Sequence, residues 1–351
     1  VDESPKVWRA PATIKRATIY DVARAAEVSH QTVSRFLSGF AGIRPETRTR
    51  VERALSELNY RPNMTARSLK ASTSHRIGAL AYDLYEVGPN KIVQAESQAA
   101  RDAGYVLDIV SLDPFKEDEF GAAIDLLNQN DFAGILANAP TDQLRRVLEQ
   151  TQFSVPLFLD NEPEEFENES QVEGSSATGT RMVVEHLVAL GHRRILHLTG
   201  PQQWVVARNR GWAYRSCMQN HKLVPEELVG TSWSAAEGFR AMQGFDLDPG
   251  ITAIVADNDQ LALGVLRSLS ERGVRVPADV SVVGFDDIPE AEFFIPPLTT
   301  IRQDYEKIGR RAVQSLLGMF GAATEAVDPN TTAVSLVVRA SSGPPPAVPR
   351  S

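Results

Sequence analysis

The chain is poor in the residues that most often declare a chemistry. Its 351 residues include one cysteine, Cys217, so no disulfide can close within the sequence and no cysteine-built zinc site can form. Long apolar runs are missing too, since none approaches the roughly 18 residues of a membrane span. Residues 1–16 contain no apolar core of a secretory leader. The six histidines form no H-E-x-x-H pair. His186, His192 and His197 flank one helix-to-strand turn, where a structural role is expected rather than a metal site. No G-x-G-x-x-G, G-x-x-x-x-G-K-[ST] or G-x-S-x-G occurs, which removes the phosphate cradles and the nucleophile elbow of many α/β enzymes. These absences predict a soluble cytoplasmic protein without metal, cofactor or catalytic residues. Paired carboxylates at Asp257/Asp259 and Asp286/Asp287 keep a glycosidase-like enzyme open as an alternative.

What is present is an asymmetry of charge. Residues 1–76 carry 14 Lys+Arg against 7 Asp+Glu, a net of +7, whereas the remainder carries 22 against 38, a net of −16. A basic segment on an acidic body suits a small module that meets a polyanion. Within it, TIYDVARAAEVSHQTVSRFLSG (residues 18–39) places Ile19, Val22, Ala23 and Ala26 at helical spacing, and Val33, Phe36 and Leu37 repeat the pattern after an interruption at Val28 and Ser29. Ser29 is a suitable N-cap for the second helix, and Pro45 suits the first turn of a third, with Val51, Ala54, Leu55 and Leu58 inward. Three short helices with a tight first turn make a helix-turn-helix module, and the start of its second helix enters the major groove. His30, Gln31 and Arg35 are therefore candidate readers of base edges, since Gln pairs bidentately with adenine and Arg with guanine. Thr18, Tyr20, Ser34, Thr47 and Asn63 are candidate phosphate donors, and Ser29 and Thr32 belong to the same face.

The acidic body alternates short apolar runs with helical stretches. RIGALAYD, YVLDIVSLD, FAGILANAP and VPLFLDNE read as buried strands, and after a polar stretch the pattern resumes through RILHLTGP, ITAIVADND and DVSVVGFDD. Such alternation implies two doubly wound parallel sheets, whose ligands bind beyond the carboxyl ends of the strands. Several strands end there in polar groups: Asp83, Asn138, Asp160, Asp257 to Asp259, and Asp286 with Asp287.

TIYDVARAAEVSHQTVSRFLSG, with RPETRTRVERALSELNYRPNMTARSLK, resembles the DNA-binding segment of the lactose repressor family over more than fifty continuous residues. EHLVALGHRRILHLTGP, ADNDQLALGVLRSL, DVSVVGFDD and IPPLTTIRQDYEKIG resemble its effector-binding core, so the likeness spans about residues 18–340. It implies an all-α helix-turn-helix module followed by an α/β, two-lobed, periplasmic-binding-protein-like core. The expected domains are a disordered tail at 1–17, the DNA-binding module at 18–62, a hinge helix and linker at 63–76, and the core at 77–340. In the core the amino-terminal lobe takes about 77–174 plus 305–330, and the carboxyl-terminal lobe about 175–304 plus 331–340. Residues 341–351, rich in proline and without leucine heptads, read as a flexible tail, so a homodimer is expected rather than a larger assembly.

The resemblance also implies partners and roles. Double-stranded operator DNA is the first partner, with Leu69 of the hinge wedged into the minor groove at the centre of a palindrome. A sugar inducer, most simply a galactoside, is the second. Arg208 would hold its hydroxyls, Asp259 beside Asn258 would accept from others, Asp160 would do so from the other lobe, Trp233 would stack on the ring and Tyr305 would close one wall. Glu27 departs from the family by standing where a glycine is usual in the turn, and Tyr82 and Glu86 replace smaller or apolar residues near the pocket. A transport-type sugar-binding protein, which has no use for residues 18–70, remains an alternative, as does a regulator of the same family that answers to another sugar or a corepressor.

Overall fold

The structure is a computed structural model that describes residues 17–37, 39–60, 74–160, 174–321 and 334–347. The chain divides into two compact units between residues 73 and 74. Most of the expected hinge, with Asn63 and Leu69, lies outside the described residues, as do 1–16 of the amino-terminal tail.

The first unit is α1 (Ile19–Ala25), α2 (His30–Leu37) and α3 (Pro45–Glu57). A capping box opens α1: the Asp21 N–H donates to Thr18 Oγ1 at 3.3 Å and the Thr18 N–H donates to Asp21 Oδ2 at 2.9 Å. Ser29 caps α2 by accepting the Thr32 N–H at 3.1 Å, and Pro45 occupies the first turn of α3. Between α1 and α2 the backbone turns at Glu27, whose φ of 53° is the left-handed conformation glycine would adopt more cheaply. Val22, Val33 and Val51 are fully buried, and Ala23, Ala26 and Ala54 complete a small core ringed by Ile19, Val28, Phe36, Leu37, Leu55 and Tyr60. Leu58 is exposed instead of inward, because α3 ends at Glu57 and its cap turns away from the helical phase.

The second unit holds two lobes. In one, β1 (Arg76–Tyr82), α4 (Val87–Asp102), β2 (Val106–Leu112), α5 (Glu117–Gln129), β3 (Gly134–Ala137), α6 (Asp142–Gln150) and β4 (Leu157–Leu159) build a parallel sheet of order β2-β1-β3-β4. In the other, α7 (Ser175–Leu190), β5 (Ile195–Thr199), α8 (Val205–Asn220), β6 (Glu226–Val229), α9 (Ala235–Gly244), β7 (Ala253–Ala256), α10 (Asp259–Glu271) and β8 (Ser281–Val283) build a parallel sheet of order β6-β5-β7-β8. β1 and β7 sit inside their sheets, and their unbroken apolar runs fit strands covered on both faces. β9 (Thr300–Gln303) pairs antiparallel with β10 (Val334–Val337), and between them α11 (Tyr305–Met319) returns to the first lobe. There Ala312, Val313, Leu316 and Leu317 pack on Ile77, Ala100 and Leu136. The lobes also meet directly, since Trp204 and Ala207 join the core of the first lobe and Val87 packs on that of the second.

The expected flexible tail is corrected for its described part, 341–347. Ser341 is fully buried; its Oγ donates to the Val282 carbonyl at 2.6 Å and accepts the Thr299 N–H at 2.7 Å. Gly343 accepts from His192 at 2.8 Å and donates to Ser281 Oγ at 3.0 Å. The segment is held because it satisfies backbone and histidine groups along the edge of β8 that would otherwise be buried unpaired. Among the described residues no helix is long and apolar enough to cross a membrane.

Candidate functional site

On the helical unit, Thr18, Tyr20, Ser29, His30, Gln31 and Arg35 are exposed, and Thr32, Ser34 and Thr47 are half-buried. His30 and Gln31 form the first turn of α2, where a recognition helix presents side chains to base edges. The His30 ring rests on Tyr20, with centroids 5.2 Å apart. Three of the expected donors are engaged in capping: the Thr18 hydroxyl donates to Asp21 at 2.7 Å, and those of Ser29 and Thr32 share a bond of 2.9 Å.

In the second unit the polar strand ends converge, each with its own protein partners. α8 carries Arg208 and Arg210, two residues apart and hence on opposite sides of the helix. Arg208 donates to the carbonyls of Gln202 and Gln203 and reaches Asp142 of the other lobe at 2.7 Å, so it bridges the lobes. Arg210 is the buried one. Its guanidinium lies 3.8 Å from the Phe285 ring centre and 5.7 Å from that of Trp233, and it donates to the Asp257 carbonyl. Its Nε is buried without a partner among the described residues. The two arginines therefore stand apart, Arg208 at the bridge between the lobes and Arg210 in the interior. The helical phase carried that signal, because Ala207, Arg210, Tyr214 and Cys217 fall on one buried face.

Asp259 is fully buried, accepting from Thr300 Oγ1 at 2.6 Å and the Ile288 N–H at 2.8 Å, and so staples α10 to β9 and the loop after β8. Burial, with the nearby Asp286, pushes its carboxyl up to about 8. Asp286 Oδ1 accepts from Gln303 Nε2 at 2.7 Å and from the Tyr305 hydroxyl at 3.2 Å. Burial raises its pKa while Arg210 pulls the other way. Asn258 caps α10 through Leu261 and donates to the Trp233 carbonyl at 3.0 Å, so it holds the tryptophan. Across the lobes, Asp160 is engaged by Arg311 at 2.9 Å. Tyr82 donates to Asn138 at 3.0 Å, and its ring lies 5.5 Å from that of Trp204, itself 6.0 Å from Trp233. Trp204 thus links the aromatic residues of both lobes.

Behind Arg210 stands a buried ion pair. His197 Nε2 lies 2.7 Å from Asp257 Oδ1, and Asp257 Oδ2 accepts the N–H of Gly200, on which the Trp233 ring packs. Burial opposes a charged imidazole, yet Asp257 and Glu227 outweigh it and push His197 up to about 9. Asp257 therefore anchors Arg210 through its carbonyl and Gly200 through its carboxylate, with His197 as counter-ion. A cavity of about 550 Å³ opens beside this cluster, lined by Asp286, Gln303 and Tyr305 with Val87 and Lys91 of the first lobe; Arg210, Trp233 and Asn258 do not line it. Among the described residues no group of histidine, cysteine and carboxylate side chains is placed to hold a metal ion.

These features recur in known proteins. Residues 18–63 match the model of bacterial regulatory proteins of the lacI family, and residues 184–342 match a periplasmic binding protein-like domain. The lactose operon repressor of Escherichia coli (strain K12) is 38% identical over 308 residues, covering 87% of this chain and 85% of that protein. The ribose operon repressor of the same strain is 33% identical over 310 residues, covering 86% and 92%. Among solved structures, the lac repressor dimer bound to operator and the anti-inducer ONPF superposes with a TM-score of 0.80 at 36% identity, over 94% of this chain and all of that one. The relatives are repressors and not enzymes, which removes the glycosidase-like alternative. The three-helix unit and the two-lobed core, matched over most of the chain, together make this chain a member of the lacI family of DNA-binding transcriptional repressors.

Proposed function

We propose that the protein represses a sugar-utilisation operon as a homodimer on a palindromic operator, from which a galactoside releases it. The observation that carries the sugar reading is Arg210, a buried fork backed by Trp233 and Phe285 that keeps an unpaired Nε. A charged fork, a carboxylate acceptor at Asp286 and an aromatic face at Trp233 are what neighbouring hydroxyls and a C–H face require. Glu86 modifies the choice of sugar. Burial pushes its carboxyl up, and Asp83 and Asp286 do the same. A hydroxyl donor on the aglycone suits such a wall better than an apolar group.

On the operator, His30, Gln31 and Arg35 read bases, and Tyr20, Ser34, Thr47 and Asn63 meet phosphates. Leu69 forms the wedge at the centre of the palindrome. Dimerisation is supported by apolar side chains left outside the second lobe, where Phe293 is 75% and Ile295 94% exposed. Effector binding between the lobes must favour one arrangement over the other by a coupling of roughly 1–3 kcal/mol to weaken DNA binding.

Thermal-shift screening of the full chain with galactosides, other sugars and purines tests the effector. At a hundredfold excess over Kd the true effector stabilises by about 2.7 kcal/mol. Galactosides that leave the melting temperature unchanged, while another compound raises it and releases DNA, would replace the galactoside in this reading.

A further inference from the structure

We propose that Phe40 is a positioning residue for DNA reading, an exposed aromatic shelf that holds the Arg35 guanidinium in place before DNA arrives. The inference rests on the reading of Arg35 as a base reader. Phe40 follows α2 and is 50% exposed, while the small core of this unit is complete without it. A large aromatic ring left in water on a basic surface needs a reason, and its neighbour supplies one. The Arg35 guanidinium carbon lies over the Phe40 ring, 5.5 Å from its centre, within the range of a cation–π contact.

The local backbone builds this contact. The Gly39 N–H donates to the Phe36 carbonyl and the Phe40 N–H to the Arg35 carbonyl, both at 3.0 Å, with Gly39 at a φ of 78°. That pair of bonds is a Schellman turn, which brings the residue two beyond the cap back over the third residue before it. Phe40 and Arg35 are those two residues. From the other side, Gly42 leaves room for the ring: a Cβ there would stand 2.5 Å from Phe40 Cε1. The turn, the glycine and the ring fix where Phe40 lies, and Phe40 supports the guanidinium end of Arg35.

A guanidinium held on a shelf loses less rotamer freedom when it engages guanine than one waving in solvent. The shelf therefore adds to specific binding and leaves non-specific binding, made by phosphate contacts, as it is. This separates the shelf from a structural role, which would move both.

The test uses the full-length protein and two duplexes: a palindrome recovered from a random-sequence pool by selection on the wild-type protein, and its scrambled counterpart. Phe40→Leu keeps an apolar group but removes the ring, Phe40→Tyr keeps the ring, and Arg35→Ala removes the cation. Phe40→Leu is expected to weaken binding to the palindrome about fivefold to thirtyfold, two contacts of typical cation–π strength acting on two half-sites. Scrambled-duplex affinity, salt slope and thermal unfolding stay as in wild type, Phe40→Tyr restores the loss, and Phe40→Leu adds nothing on the Arg35→Ala background. Phe40→Leu that lowers both duplexes equally, or that weakens the Arg35→Ala protein by the same factor, overturns the shelf. Arg35→Ala that keeps full discrimination overturns it differently, by showing that Arg35 reads no base.

Discussion

The helical unit and the sensor core hold their functional side chains in opposite ways. In the helical unit the groups proposed to meet DNA are exposed or half-buried, and the capping hydrogen bonds stay within one turn, as in Thr18 with Asp21 and Ser29 with Thr32. In the core the comparable groups are buried, and their partners are remote in sequence: Asp257 meets His197 across 60 residues and Asp259 meets Thr300 across 41. A surface reader can be altered with a local effect. A buried one is part of the fold, so its loss is expected to disturb stability and sensing together.

The largest effect that would sharpen this contrast is at His197. His197→Leu leaves Asp257 buried without its counter-ion, a change that typically costs about 3–5 kcal/mol. Denaturant unfolding of the core should show that loss, and a change under 1 kcal/mol would break the claim that the pair is held as ions. Next comes the choice between two arginines. Once a sugar effector is in hand, Arg210→Ala should cost roughly 2–5 kcal/mol of its binding, as truncation of a buried charged partner does. Arg208→Ala, which loses the part-exposed bridge to Asp142 and the bonds to the Gln202 and Gln203 carbonyls, should cost under about 1 kcal/mol of that binding by calorimetry. The reverse order would return the site to Arg208.

Three groups in the core set a dependence on pH. Glu96, by burial and by Asp160, and Asp259, by burial and by Asp286, are pushed up to about 8. The native state then keeps protons that the unfolded chain has released, so their contribution is full below about pH 4 and lost as pH rises through 8. His197, at about 9, contributes fully below about pH 6.5 and loses its part as pH rises through 9. The melting temperature of the core should fall by several degrees between pH 6 and pH 9, and Glu96→Gln should flatten the slope. A flat wild-type profile would contradict the placement of these groups. The smallest expected effect lies in the other unit, where Ser29→Ala should cost about 1 kcal/mol of its stability by thermal melting, the typical value of a lost N-cap.

The same contrast decides what could be read from the amino acids alone. Ser29, Pro45 and the turn at Glu27 announced themselves because caps, first-turn prolines and left-handed turns are set within a few residues. The strands and helices of the core were legible from their apolar runs. The hydrogen-bond partners of the strand-end residues were not. A strand-end aspartate can face a ligand or turn inward to Thr300 as Asp259 does, and only the packing of β9 decides. Arg208 and Arg210 were separable in principle by helical phase, but the Asp142 partner of Arg208 comes from the other lobe. The segment at 341–347 misled for a related reason. Its prolines argue for an extended chain, and the sequence holds no sign that His186, His192 and Thr299 wait to bind it.

That docked segment has a consequence for the order of synthesis. The edge formed by β8 and Thr299 is closed by Ser341 and Gly343, about 280 residues downstream of the three-helix unit. The three-helix unit contains its whole core within residues 19–60 and emerges from the ribosome far earlier. At about 5–20 residues per second the interval is on the order of tens of seconds. The residues that form the whole core of the helical unit are thus made well before those that clasp the sensor.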